Sequence, residues 1–227
     1  FTEGWAVIFP HHPPSMVVLG AFLVVAVISW RSAALAARAQ SLMFWVVTAA
    51  LLSAALGLTQ HHTVAPTWLK GVGEVDLLTG FTIFFPAATG IMVGVGMSGS
   101  LANSRRSIPR GTLGAWAIGL TVYVLAAIWY ASMGTPAELV AQKTLMVDRA
   151  LFGPVVLAGL LCSTTVAALS TLVAAPRLLN AMAGHGVVPG GAWLAKTEDG
   201  EPRRATIVSL AFVGMFLMTG SLDAIAP

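Results

Sequence analysis

Six stretches of this chain carry no Asp, Glu, Lys or Arg: residues 4–30, 39–69, 77–104, 111–137, 150–176 and 205–222. Each is at least 18 residues long, room for the ~20 apolar residues with which a helix crosses a bilayer. An unpaired backbone amide in hydrocarbon costs several kcal/mol, so only helices and closed barrels span. No ten-residue alternating pattern marks a barrel, and six spanning helices are expected. Turn residues trim them to about 14–30, 37–58, 77–103, 111–133, 150–182 and 204–220. The expected fold class is all-α, a polytopic membrane helix bundle forming a single membrane domain over residues 1–227.

Composition agrees with that class. The chain is 57% hydrophobic and 9% charged, which makes the lipid bilayer its expected partner and leaves nucleic acid out. With so few charges, their placement matters more than the net +3. The connections between spans fall alternately on two sides. One side holds Arg31, Arg38, Arg105, Arg106, Arg110, Arg177, Lys196, Arg203 and Arg204; the other holds Lys70, Lys143 and Arg149. The positive-inside rule puts the basic side in the cytoplasm and residues 1–13 outside it. Most of the seven tryptophans lie near expected span ends, where indoles anchor at the interface; Trp45 and Trp116 fit that pattern less well. Cys162 has no cysteine partner in the chain and reads as a small packing residue. The closing stretch SLDAIAP starts what looks like another segment, so the chain is expected to be a piece of a longer protein.

The third window is irregular where a span should be most regular. In FTIFFPAATGIMVGVGMSGSL, Phe81 to Leu101, Pro86 removes one helical hydrogen bond and crowds the Thr82 carbonyl, and Gly90, Gly94, Gly96 and Gly99 lower the cost of leaving helical geometry. A discontinuity near residues 86–90 is expected. Such a break exposes carbonyls at the negative end of one half-helix and amides at the positive end of the next, an arrangement that secondary transporters use to hold substrates and coupling ions at mid-membrane. The Pro86 carbonyl and Thr89 hydroxyl would then face a hard cation, and the Gly90 and Ile91 amides an anion. No ionisable side chain lies in this segment, so an ion held there needs no buried charge. The same residues also fit a proline-kinked helix whose small residues pack against a neighbour.

FTIFFPAATGIMVGVGMSGSLANSRRSIPRGTLGA closely resembles the sixth helix and following loop of the cation-chloride cotransporter family, roughly FFPAATGI-x-AG-x-x-x-SGDL…IP-x-GT-x-x-A. CSTTVAALSTLVAAPRLLNAM is similar to that family's eighth helix with its SLxxAPRLLQA ending, and ARAQ at Ala37 to Gln40 resembles the start of its fifth. The resemblance implies a fragment covering the fourth to ninth helices of a LeuT-like inverted-repeat fold in the amino acid-polyamine-cation superfamily. It implies cotransport of chloride with K+, Na+ or both by alternating access, with no cofactor. The family's potassium ligands fall on Pro86 and Thr89, and its chloride-contacting amides on Gly90, Ile91 and Met92. The serine pair that sodium-coupled members use falls on Val166 and Ala167, neither of which has a side-chain oxygen, while Ser163 keeps only a carbonyl position. The resemblance therefore leans to the sodium-independent potassium-chloride type. Departures are SGSL in place of SGDL, with Ser100 at the acidic position, and the more basic Ser104 to Ser107 loop. Short loops point to a prokaryotic member in a bacterial inner (plasma) membrane. A homodimer is compatible with the family.

Other features have plainer readings. His11-His12 and His61-His62 are expected in solvated outer loops, although such pairs can bind a metal or sense pH. Ser163, Thr164, Thr165, Ser170 and Thr171 enrich one span in hydroxyls; Ser163 and Thr164 are expected near a permeation path and the others in packing. Arg105, Arg106 and Arg110 read as an orientation and headgroup cluster. No triad, metal-spaced cluster or phosphate loop appears, so no enzyme is expected. The rival readings are an amino acid or polyamine permease of the same superfamily and a non-transporting membrane scaffold.

Overall fold

The computed structural model describes residues 1–60, 77–84, 103–142, 144–188, 191–198 and 200–217. Ten helices run through them: α1 Thr2–Ile8, α2 Pro14–Arg31, α3 Ala33–Gly57, α4 Leu77–Phe84, α5 Ser104–Met133, α6 Pro136–Ala141, α7 Leu145–Arg149, α8 Gly153–Gly184, α9 Gly191–Leu194 and α10 Arg203–Leu217. The fold of the described residues is all-α, with one isolated bridge between Glu198 and Glu201. Four stretches among them are long and apolar enough to cross a membrane: Pro14–Arg31, Ala33–Gly57, Arg105–Met133 and Gly153–Gly184. At 1.5 Å per residue the shortest, α2, is about 27 Å long, close to the hydrocarbon thickness of ~30 Å.

Helix boundaries differ from the expected spans most at the start of α5. α5 begins at Ser104 rather than 111, because long arginine side chains continue a helix past the apolar slab while their heads stay in water. Large apolar side chains point outward along it, Ile118 being 65% exposed. In water that would be a liability; against lipid it costs nothing.

The chain divides into two compact units, Phe1–Val47 with Gly159–Pro227, and Thr48–Ala158. In the second unit, Ala54, Trp129, Met133, Ala150 and Val156 form a buried cluster with Met146 and Val147 packed on it. Trp129, expected at an interface, is 5% exposed and its indole N–H donates to the Ala54 carbonyl at 2.7 Å. A buried indole needs an acceptor, and one at this distance lets it serve as core. Ser53, equally buried, joins the α7–α8 connection: its Oγ accepts from the Phe152 N–H at 2.9 Å and donates to the Phe152 carbonyl at 3.2 Å. A Cβ on Gly57 would overlap the Arg149 carbonyl, so glycine lets α3 end against this connection.

In the first unit, α8 passes through Pro176 without ending. Proline has no N–H for the carbonyl four residues earlier, which is that of Leu172. Ser29 of α2 supplies the missing donor, its Oγ bonding the Leu172 carbonyl at 2.9 Å. Two residues earlier on α8, the Gln40 side-chain amide of α3 donates to Ser170 Oγ at 2.9 Å. A smaller apolar cluster of Ala183, Leu194 and Ala205 closes the end of α8 against α9 and α10.

Candidate functional site

Pro86, Thr89, Gly90, Ile91 and Met92, the expected cation and chloride ligands, lie outside the described residues, and so does the expected discontinuity at 86–90. The described part of that window is α4, eight residues from Leu77 to Phe84. His61 and His62 also lie outside.

The second set of candidates sits in mid-α8. Ser163 Oγ donates to the Leu160 carbonyl at 2.9 Å, and Thr164 Oγ1 to those of Leu160 and Leu161 at 3.1 and 3.0 Å. Thr165 Oγ1 reaches the Leu161 carbonyl at 2.7 Å and Thr171 Oγ1 the Ala167 carbonyl at 3.0 Å. Each hydroxyl thus bonds back to its own helix, the usual resort of Ser and Thr in apolar surroundings. Ser170 differs, since it receives Gln40. At Val166 and Ala167, half-buried and exposed, there is no side-chain oxygen to join Ser163. The positions expected to mark a sodium site are therefore near neighbours on one helix, where Val166 and Ala167 add no side-chain oxygen.

A cavity of about 430 Å³ opens between the N-terminal segment and α2, lined by Phe1, Trp5, His12, Met16 and Val24 among others, with Thr165 of α8. Two of its polar groups are committed: the Thr165 hydroxyl to the Leu161 carbonyl, and His12 Nδ1 to the Trp5 indole N–H at 3.1 Å. His12 is exposed in the connection between α1 and α2, as expected of a solvated loop, and stacks there on Phe9 with ring centroids 5.2 Å apart. No group of three or more His, Cys, Asp or Glu among the described residues could hold a metal ion. Arg105, Arg106 and Arg110 are exposed at the start of α5, as headgroup contacts would be.

An ion pair absent from the sequence-based expectations joins α8 to the connection before α10. Glu201 Oε2 accepts from Arg177 Nη2 of α8 at 2.8 Å, and Glu201 Oε1 accepts from the Ala33 N–H at the start of α3 at 3.0 Å. The legible signal was the stretch Glu198 to Glu201 reading EDGE, a turn sequence between two acidic residues. Gly200 takes φ +78° there, which a side chain would resist. Glu198 and Glu201 exchange backbone hydrogen bonds of 2.9 and 3.0 Å across it.

Residues 5–226 match the amino acid permease family. Over 146 residues the chain is 36% identical to cation-chloride cotransporter 1 of Oryza sativa subsp. japonica, covering 64% of this chain and 15% of that protein. It is 36% identical over 153 residues to potassium/chloride cotransporter 3 of Caenorhabditis elegans, covering 63% and 14%. It is 29% identical over 156 residues to solute carrier family 12 member 8 of Mus musculus, covering 67% and 22%. The match therefore spans less than a quarter of each of these relatives.

Proposed function

Because the chain belongs to the amino acid permease family, we propose that it is part of a secondary active transporter that carries chloride with a monovalent cation by alternating access. The observation that carries this reading is the 36% identity to the rice cation-chloride cotransporter. Four apolar helices of spanning length among the described residues support an integral membrane protein. K+ is the proposed cation, held by the Pro86 carbonyl and Thr89 hydroxyl, with chloride on the Gly90, Ile91 and Met92 amides in a LeuT-like inverted-repeat fold. Val166 and Ala167, with no side-chain oxygen, support independence from Na+. A homodimer stays part of the proposal. The relatives named above are plant and animal proteins and lend no support to a bacterial membrane.

Rubidium uptake by the whole protein tests the reading. Uptake is expected to require chloride, to be indifferent to replacing Na+, and to fall about tenfold in Thr89→Ala, the equivalent of roughly 1.4 kcal/mol of lost ligation. A second reading, an amino acid or polyamine permease, is favoured by the family match itself. Chloride-independent amino acid uptake, with no rubidium flux, selects it and removes the first.

A further inference from the structure

α2 ends at Arg31 and α3 begins at Ala33, so the two helices are joined by one residue. Ser32 is extended there, at φ −174° and ψ 155°, and the angle between the helices turns on its torsions. The first amides of α3 have no intrahelical acceptors. Ser32 Oγ accepts the Leu35 N–H at 3.1 Å, and the Ala33 N–H goes to Glu201 Oε1. The other oxygen of that carboxylate is held by Arg177, one residue past Pro176. On the α2 side of the joint, Ser29 bonds Leu172. Both flanks of a one-residue hinge are thus tied to one short stretch of α8, residues 172–177.

The two ties differ in kind. Ser29 answers a carbonyl that the proline leaves permanently free, so that bond is lost only at a high cost in lipid. The Glu201 tie is ionic, with side-chain exposures of 15% at Arg177 and 28% at Glu201. It lies near the end of α8, on the side that the Lys and Arg count assigns to the cytoplasm, and can exchange with water. The carboxylate is also set at a fixed place by the Gly200 turn.

We propose that Arg177 and Glu201 form a latch on the α2–α3 joint: closed, it holds the start of α3 against α8, and open, it lets the first turns of α3 pivot at Ser32 while Gln40 stays bonded to Ser170 of α8. Glu201 is a positioning residue that touches no transported ion. The use of this pivot as an inward-facing gate rests on the transport reading, whereas the latch does not.

The test is thiol labelling of Ala33→Cys in the whole protein in lipid vesicles, with Cys162→Ala as background. Glu201→Gln keeps an oxygen for the Ala33 amide while removing the charge. It is expected to raise the labelling rate roughly tenfold, about what a partly buried charged hydrogen bond contributes. Arg177→Gln should do the same, and the double variant no more than either single one. Gly200→Ala, which keeps both charges and displaces the turn, should follow Glu201→Gln. Ala183→Cys, buried in the cluster at the end of α8, should label no faster in any of them. Unchanged labelling at position 33, full additivity of the two substitutions, or equal acceleration at position 183 overturns the latch. Accelerated labelling at position 33 alone, without any rubidium flux, leaves the latch standing and overturns the transport reading.

Discussion

At the scale of single residues, two prolines, Pro109 and Pro176, lie inside described helices. Pro176 deprives the carbonyl four positions back of its donor. At Pro176 the freed Leu172 oxygen is occupied by Ser29, so there a proline in a span serves packing. Counting back from Pro176 identifies the orphan carbonyl from sequence alone; its donor, 143 positions distant, is set by how the helices pack. Ser29→Ala should lower stability by about 1–3 kcal/mol, the penalty for an unsatisfied buried acceptor, with Ser29→Thr recovering most of it. Denaturant unfolding in detergent measures both. In contrast, Ser163→Ala and Thr165→Val should each stay within about 0.5 kcal/mol. Their hydroxyls only revisit carbonyls of their own helix, and losing one leaves no new orphan.

Among elements, α6 carries the clearest pH dependence. Thr135 Oγ1 accepts the Glu138 N–H while the Glu138 carboxylate accepts the Thr135 N–H at 2.8 Å, a reciprocal cap. That backbone bond, then the Thr135 hydroxyl, and then Arg149 hold the Glu138 carboxyl below its ordinary value of 4.5. The unfolded chain thus binds the proton more readily. The stabilisation is complete above the ordinary carboxylate range and is lost as pH falls through the lowered value. The difference in thermal midpoint between the native chain and Glu138→Gln should therefore be constant near neutrality and shrink below about pH 4. The letters TPAE spell this cap, but absence of charge governed the expected spans, and a six-residue helix between two of them leaves no mark on that measure. The early start of α5 escaped for a related reason: arginine marks where the apolar slab ends, and a backbone helix continues beyond it.

At the scale of the whole molecule, the all-α class was legible because charge-free length is a direct readout of what lipid permits. The division into two units was not. Its borders, after Val47 and after Ala158, fall inside α3 and α8, where no linker composition announces them. The proposed ion ligands form a sequence motif outside the residues that the structure describes; the Glu201 contacts join positions 33, 177 and 201, a grouping that no local pattern contains. Lipid facing α5 has a checkable consequence. Ile118→Arg, at a 65% exposed position, should cost about 2.5–3.5 kcal/mol in apparent insertion energy, read by glycosylation mapping. Arg106→Ile, beyond the slab, should leave insertion of α5 unchanged in the same assay. Finally, the bond from Ser29 to Leu172 fixes more than a local contact. Were α2 to slide one turn along α8, the bare oxygen above Pro176 would meet oil instead of a hydroxyl. An imperfection in one rod thereby dictates the height at which its neighbour must stand.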